Sequence, residues 1–123
     1  ASWFLSGSLC HWGDFTRRFF DLVVFLWVPA EIRLARLRAR ELQKYGEIIL
    51  DPDSNEHKSH QLIMQWASAY DTGGYNMQSR KQHERWLSGL TCQIIRLEGD
   101  RVPAENITAV LHAMGTDPGI NTY

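Results

Sequence analysis

Leu22-Val23-Val24-Phe25-Leu26-Trp27 is an apolar run with no polar interruption, and Pro29 stops it. It is short for a helix and lacks the alternation of a half-exposed strand, so it predicts a strand covered on both faces of a parallel sheet. Glu31 then begins a segment rich in Leu, Ala, Arg and Glu, all good helix formers. At about 100° per residue, Arg33, Arg36, Arg40 and Lys44 fall within roughly a quarter of that helix's circumference. Ile32, Ala35, Ala39 and Leu42 take a neighbouring arc that can pack on the sheet, while Arg38 points elsewhere. A basic stripe at the end of a buried strand is a site for phosphate; the same charges also fit a plain solvated face.

Elements alternate outward from this centre. Trp3-Phe4-Leu5 reads as a short strand, and Asp14 as the cap of a short helix ending near Phe20. Downstream, Gly46 ends the basic helix, and Asp53 with Glu56 fits a capping box opening another. That helix is expected to bury Leu62, Ile63, Trp66, Ala67 and Tyr70, until Asp71-Thr72-Gly73-Gly74 breaks it. A helix from about Ser79 to Leu90 carries His83, Trp86, Leu87 and Leu90 on one side. Gln93 to Leu97 is a strand, Glu98-Gly99-Asp100-Arg101 a turn, and Pro103 opens a last helix burying Ile107, Val110 and Leu111. Gly115 closes it, and a loose tail follows. The expected class is α/β, with about three parallel strands flanked by four to five helices. One domain, or the C-terminal portion of one, would comprise a strand-loop-strand core over 1–28, a basic and lid-like helical region over 29–78, and a helix-strand-helix unit over 79–123.

With 44% hydrophobic residues, the 123-residue chain can build one core, and a net charge of -1 argues against a general nucleic-acid coat. Cys10 and Cys92 lack the spacing of a zinc or redox motif and read as reduced core thiols; no histidine pair has convincing metal spacing. The longest apolar stretch, ending at Ala30, is about half of a membrane span, and no leader precedes it. A cytoplasmic protein with no metal, membrane or nucleic-acid partner is expected.

Ligands on parallel sheets bind at the carboxyl ends of the strands. Ser6-Gly7-Ser8, the Pro29 to Arg40 segment and Glu98-Gly99-Asp100 each follow a predicted strand, so three candidate loops share one rim. Ser6 and Ser8 could position a phosphoryl acceptor, or simply end the strand. His83 fits a partly buried structural histidine or a general base, and the five Trp residues fall mainly on apolar faces.

Ser6-Gly7-Ser8 followed by Trp12-Gly13-Asp14, the block Val28 to Glu41, Trp66-Ala67-Ser68-Ala69-Tyr70-Asp71 and His83-Glu84-Arg85-Trp86-Leu87 together resemble the C-terminal part of bacterial adenylate-kinase-like P-loop NTPases. The resemblance covers nearly the whole chain and implies a kinase-like protein that binds ATP with Mg²⁺ and serves an unknown small-molecule acceptor. By it, Arg36 and Arg40 are lid cations on the phosphates, with Arg33 and Lys44 beside them in the stripe. Gly99, Asp100 and Arg101 lie in the adenine-facing turn. The G-x-x-x-x-G-K-[ST] motif that such chemistry needs does not occur in the 123 residues. Also missing is the family's first strand, which lies between the strands corresponding to Trp3-Phe4-Leu5 and Leu22 to Trp27. The chain is therefore expected to be the C-terminal part of a longer protein, inactive alone, and prone to dimerise or exchange strands through an unpaired sheet edge. The alternative is a noncatalytic α/β module that works through a protein interface.

Overall fold

A computed structural model describes residues 2–115. The protein is α/β. Strand β1 (Leu22–Trp27) has the predicted bounds, and β2 (Gln93–Glu98) lies parallel to it, with Leu22 opposite Gln93 and Trp27 opposite Glu98. Between them run α1 (Ala30–Tyr45), α2 (Asn55–Ser68) and α3 (Arg80–Ser88); α4 (Pro103–Ala113) follows β2. Two 3₁₀ helices, Asp14–Phe19 and Gly46–Leu50, complete the described elements.

The third strand expected at Trp3-Phe4-Leu5 is not formed. Its residues have no ladder partner, and Phe4 is 87% exposed. A β-preferring sequence becomes a strand only against a neighbour, and among the described residues the outer edge of β1 stays free.

Strand side chains alternate between faces. One face carries the core, in which Phe25 meets Trp86 and Leu87 of α3, with Val23, Trp27 and Ile94 packed around them. Burying a side chain such as Leu87 stabilises the fold by about 1.5–3 kcal/mol. On the other face α4 lies against β2 and Leu97 is buried. Leu26, however, is 59% exposed, so β1 is not covered on both faces along its whole length.

Helix α1 packs on α2 and the Gly46–Leu50 turn, where Ile49 is fully enclosed and buried His60 brings Nδ1 to 3.7 Å from Oε1 of buried Glu41. Gly46 ends α1 as expected, at φ 77, its amide donating to the Leu42 carbonyl. The cap of α2 is Ser54 rather than Asp53: its hydroxyl oxygen accepts from the His57 amide at 3.0 Å. The predicted burial along α2 also needs correction, since Leu62, Ile63 and Trp66 are open to solvent and only Ala67 and Tyr70 are partly covered. An amphipathic pattern identifies the apolar face but not the element that will cover it. Ile107 of α4 is exposed for the same reason. Asp14 does not cap its helix; Gly13 precedes the first turn, and Asp14 instead pairs with Arg17 at 3.2 Å. The loose tail predicted after Gly115 lies outside the described residues.

Candidate functional site

Because β1 and β2 are parallel, both end on one rim. Gly99 turns the chain there at φ 104, a conformation open to glycine, and its amide donates to the Trp27 carbonyl at 3.0 Å. The next residue, Asp100, accepts a hydrogen bond from Arg36 Nη2 at 2.5 Å. Beside this pair lies a cavity of about 310 Å³, with apolar walls from Leu26, Val28, Leu97 and Pro103 and with Arg36, Gly99, Arg101 and Asn106 completing its lining. Of the two guanidinium groups in this lining, that of Arg36 is paired with Asp100.

The basic stripe is divided among several surroundings. Arg33 turns inward, donating to the Val28 carbonyl at 3.1 Å, the Ala67 carbonyl at 3.3 Å and Asp71 Oδ2 at 2.9 Å, with its guanidinium 5.0 Å from the Tyr70 ring centre. The Trp27 indole N–H donates to the other Asp71 oxygen at 2.8 Å, so Arg33 and Asp71 tie the end of β1 to the end of α2. Burial opposes ionisation of Asp71, but the bonds from Arg33 and Trp27 outweigh it and hold the carboxyl below its ordinary range. Arg40 is exposed and makes no ion pair among the described residues, and Lys44 sits 5.0 Å from the Tyr45 ring centre. Arg38 lines a separate cleft of about 390 Å³ with Leu34, Gln61 and Gln65. The structure thus joins Arg36, Gly99, Asp100 and Arg101, while Arg33, Arg40 and Lys44 do not line the cavity.

A second polar group locks α3 to the strands. Arg96 donates to both oxygens of Glu84 at 2.6 and 2.8 Å, which holds that carboxyl below its usual range. Arg80 donates to Glu98 Oε1 at 2.9 Å with its guanidinium 4.8 Å from a Trp27 ring centre. Next to them, His83 Nδ1 is 2.6 Å from Tyr70 Oη and its Nε2 is 3.2 Å from Ser8 Oγ. Burial and nearby His11 push the His83 pKa down against the opposing charge of Glu84, and burial pushes Tyr70 up to about 12. Ser8 is partly buried in this row, whereas Ser6 is exposed. Cys10 and Cys92 are free and partly buried, and burial raises both thiols.

Sequence reasoning gave no polar role to Tyr70, Asp71, Arg80, Glu84 or Arg96. Three of these, Tyr70, Asp71 and Glu84, stand inside the two Trp-containing blocks that carried the family resemblance, which was the available signal.

Fold and rim together define an α/β protein with a cation-bearing cavity at the carboxyl ends of a parallel strand pair. The chain is 43% identical over 115 residues to the Uncharacterized protein YqaC of Bacillus subtilis (strain 168), a match covering 94% of this chain. The chain spans 64% of that relative's length. No family model and no solved structure matches it. Among the described residues, no helix is long and apolar enough to cross a membrane.

Proposed function

We propose that the chain is the C-terminal part of an ATP-binding, kinase-like P-loop NTPase that transfers or hydrolyses the γ-phosphate of ATP when a P-loop is present. The observation that carries this reading is the cavity at the ends of β1 and β2, where Arg36 from α1 meets the turn Gly99-Asp100-Arg101. In this reading the apolar walls take the base, the turn lies against it, and Arg36, with Arg40 one turn further along α1, faces the phosphates. The free edge of β1 would then take the P-loop strand, with Trp3-Phe4-Leu5, exposed and unpaired among the described residues, pairing beyond it. In this reading Mg²⁺ enters with the ATP phosphates.

Calorimetric titration with Mg-ATP tests the reading. The protein carrying its P-loop should bind saturably, whereas the 123-residue chain should bind no better than roughly millimolar, about -4 kcal/mol, for want of an amide cradle. Tight binding by the short chain, or none by the P-loop-bearing protein, contradicts it. A second reading, a noncatalytic interaction module, draws on the open apolar side of α2 at Leu62, Ile63 and Trp66. Loss of a partner on mutating those residues, with no ATP binding by the P-loop-bearing protein, would favour it.

A further inference from the structure

The strand pair has two outer edges, neither of them laddered among the described residues, and their sequences differ. Strand β2 carries Arg96 and Glu98, paired with Glu84 and Arg80. Strand β1 carries no charge and no proline, and its register with β2 runs unbroken from Leu22 to Trp27. Edge strands are normally guarded by charges, prolines or bulges, because a bare row of N–H and C=O groups recruits another strand. β1 has none of these guards. Leu26 also stays 59% exposed although its ladder partner Leu97 is buried, so cover is lacking on the β1 side.

Each copy of the chain also holds a segment that could fill such an edge. Trp3 and Phe4 favour strands, yet Trp3-Phe4-Leu5 has no ladder partner and all three residues are exposed. Just behind this segment the chain is fixed: Ser8 Oγ lies 3.2 Å from His83 Nε2, and Leu9 and Cys10 pack on the core. The Trp3 ring meets Phe20 edge-on at 5.7 Å, and Phe20 meets Trp86 of α3 at 6.0 Å. In its own chain the segment therefore stands over the α3 side and not along the edge. We infer that two copies exchange it, Trp3-Phe4-Leu5 of each pairing with the outer edge of β1 of the other. Donor segment and bare edge are both present in every copy, so one two-fold arrangement satisfies both edges at once. An exchanged apolar side chain then lies beside Leu26. The exchange does not depend on ATP: a P-loop strand would fill the same edge in a longer protein, and in the 123-residue chain a second copy fills it.

Sedimentation equilibrium of the 123-residue chain should give twice the mass of one chain. In a mixture of isotope-labelled and unlabelled chains, filtered NOE contacts should run from Phe4 of one copy to β1 of the other. Phe4→Pro removes a ladder donor at a residue 87% exposed, at two sites per dimer. It should leave a folded monomer, read by thermal melting, and raise the dimer dissociation constant at least about tenfold. Leu26→Lys, which puts a charge on the edge, should do the same. Leu62→Lys, on the open side of α2, should leave the dimer intact. A monomeric wild type, a dimer that survives Phe4→Pro, or one that is lost in a folded Leu62→Lys variant overturns the exchange. If the dimer behaves as expected but the P-loop-bearing protein does not bind Mg-ATP, the kinase-like reading fails and the exchange stands.

Discussion

Arg36 and Asp100 meet at 2.5 Å although 64 positions separate them in the chain, and both side chains remain more than half exposed. A pair this open contributes only about 0–1 kcal/mol to stability. Its consequence is positional: it holds the helix after β1 and the turn after β2 together at the lip of one cavity.

Replacing the carboxylate should therefore affect ligand binding more than folding. Asp100→Asn is expected to change the unfolding free energy by less than about 0.5 kcal/mol. In the P-loop-bearing protein it should tighten Mg-ATP binding, because Arg36 no longer has a carboxylate competing with phosphate. Urea denaturation and calorimetric titration read the two effects, and weaker nucleotide binding would contradict the competition.

Asp71 should behave in the opposite manner. Asp71→Ala strips partners from Arg33 and from the Trp27 indole, both partly buried, and is expected to cost about 1–3 kcal/mol in denaturation. Its carboxyl titrates below the ordinary 3.8 in the folded state, so its stabilisation is complete above 3.8 and is lost as pH falls through the lower folded value. Asp71→Asn should flatten that acid limb of the stability curve; an unchanged limb contradicts the assignment.

His83 provides a second pH signature in a different window. Its folded pKa is depressed from 6.5 by burial and His11, so the unfolded chain takes up the proton first as pH falls. Stability should be level above 6.5 and decline below it toward the folded value. His83→Gln removes the titrating group, and thermal melts across this range should then lose that decline.

Much of this arrangement was legible in the sequence. The run Leu22 to Trp27 gave its own strand bounds because an apolar stretch closed by Pro29 has few other uses, and Gly46 and Pro103 marked helix ends through backbone chemistry alone. The meeting of Arg36 with the Gly99 to Arg101 turn followed from placing both after parallel strands. What pairing and packing decide was less legible. Trp3-Phe4-Leu5 has strand chemistry but no neighbour, and Leu62, Ile63 and Trp66 have an apolar pattern but no cover. The stripe placed Arg33 beside Arg36, yet Arg33 turned to Asp71, a residue given no polar role by the sequence. Helical angle fixes where a side chain starts, and its partners fix where the charge ends.

The central claim is most directly tested by ATP turnover in the P-loop-bearing protein with Arg36→Ala, Arg40→Ala and Arg38→Ala, folding checked by thermal melting. Arg36 lines the cavity at the strand ends and Arg38 lines the cleft beside α2, so equal losses of charge should have unequal effects. Loss of a donor to the transferring phosphoryl group costs on the order of 100- to 1000-fold in turnover, about 3 to 4 kcal/mol. The account predicts that loss for Arg36→Ala and a far smaller one for Arg38→Ala, with Arg40→Ala, outside the cavity, between them; equal activities in all three would contradict it.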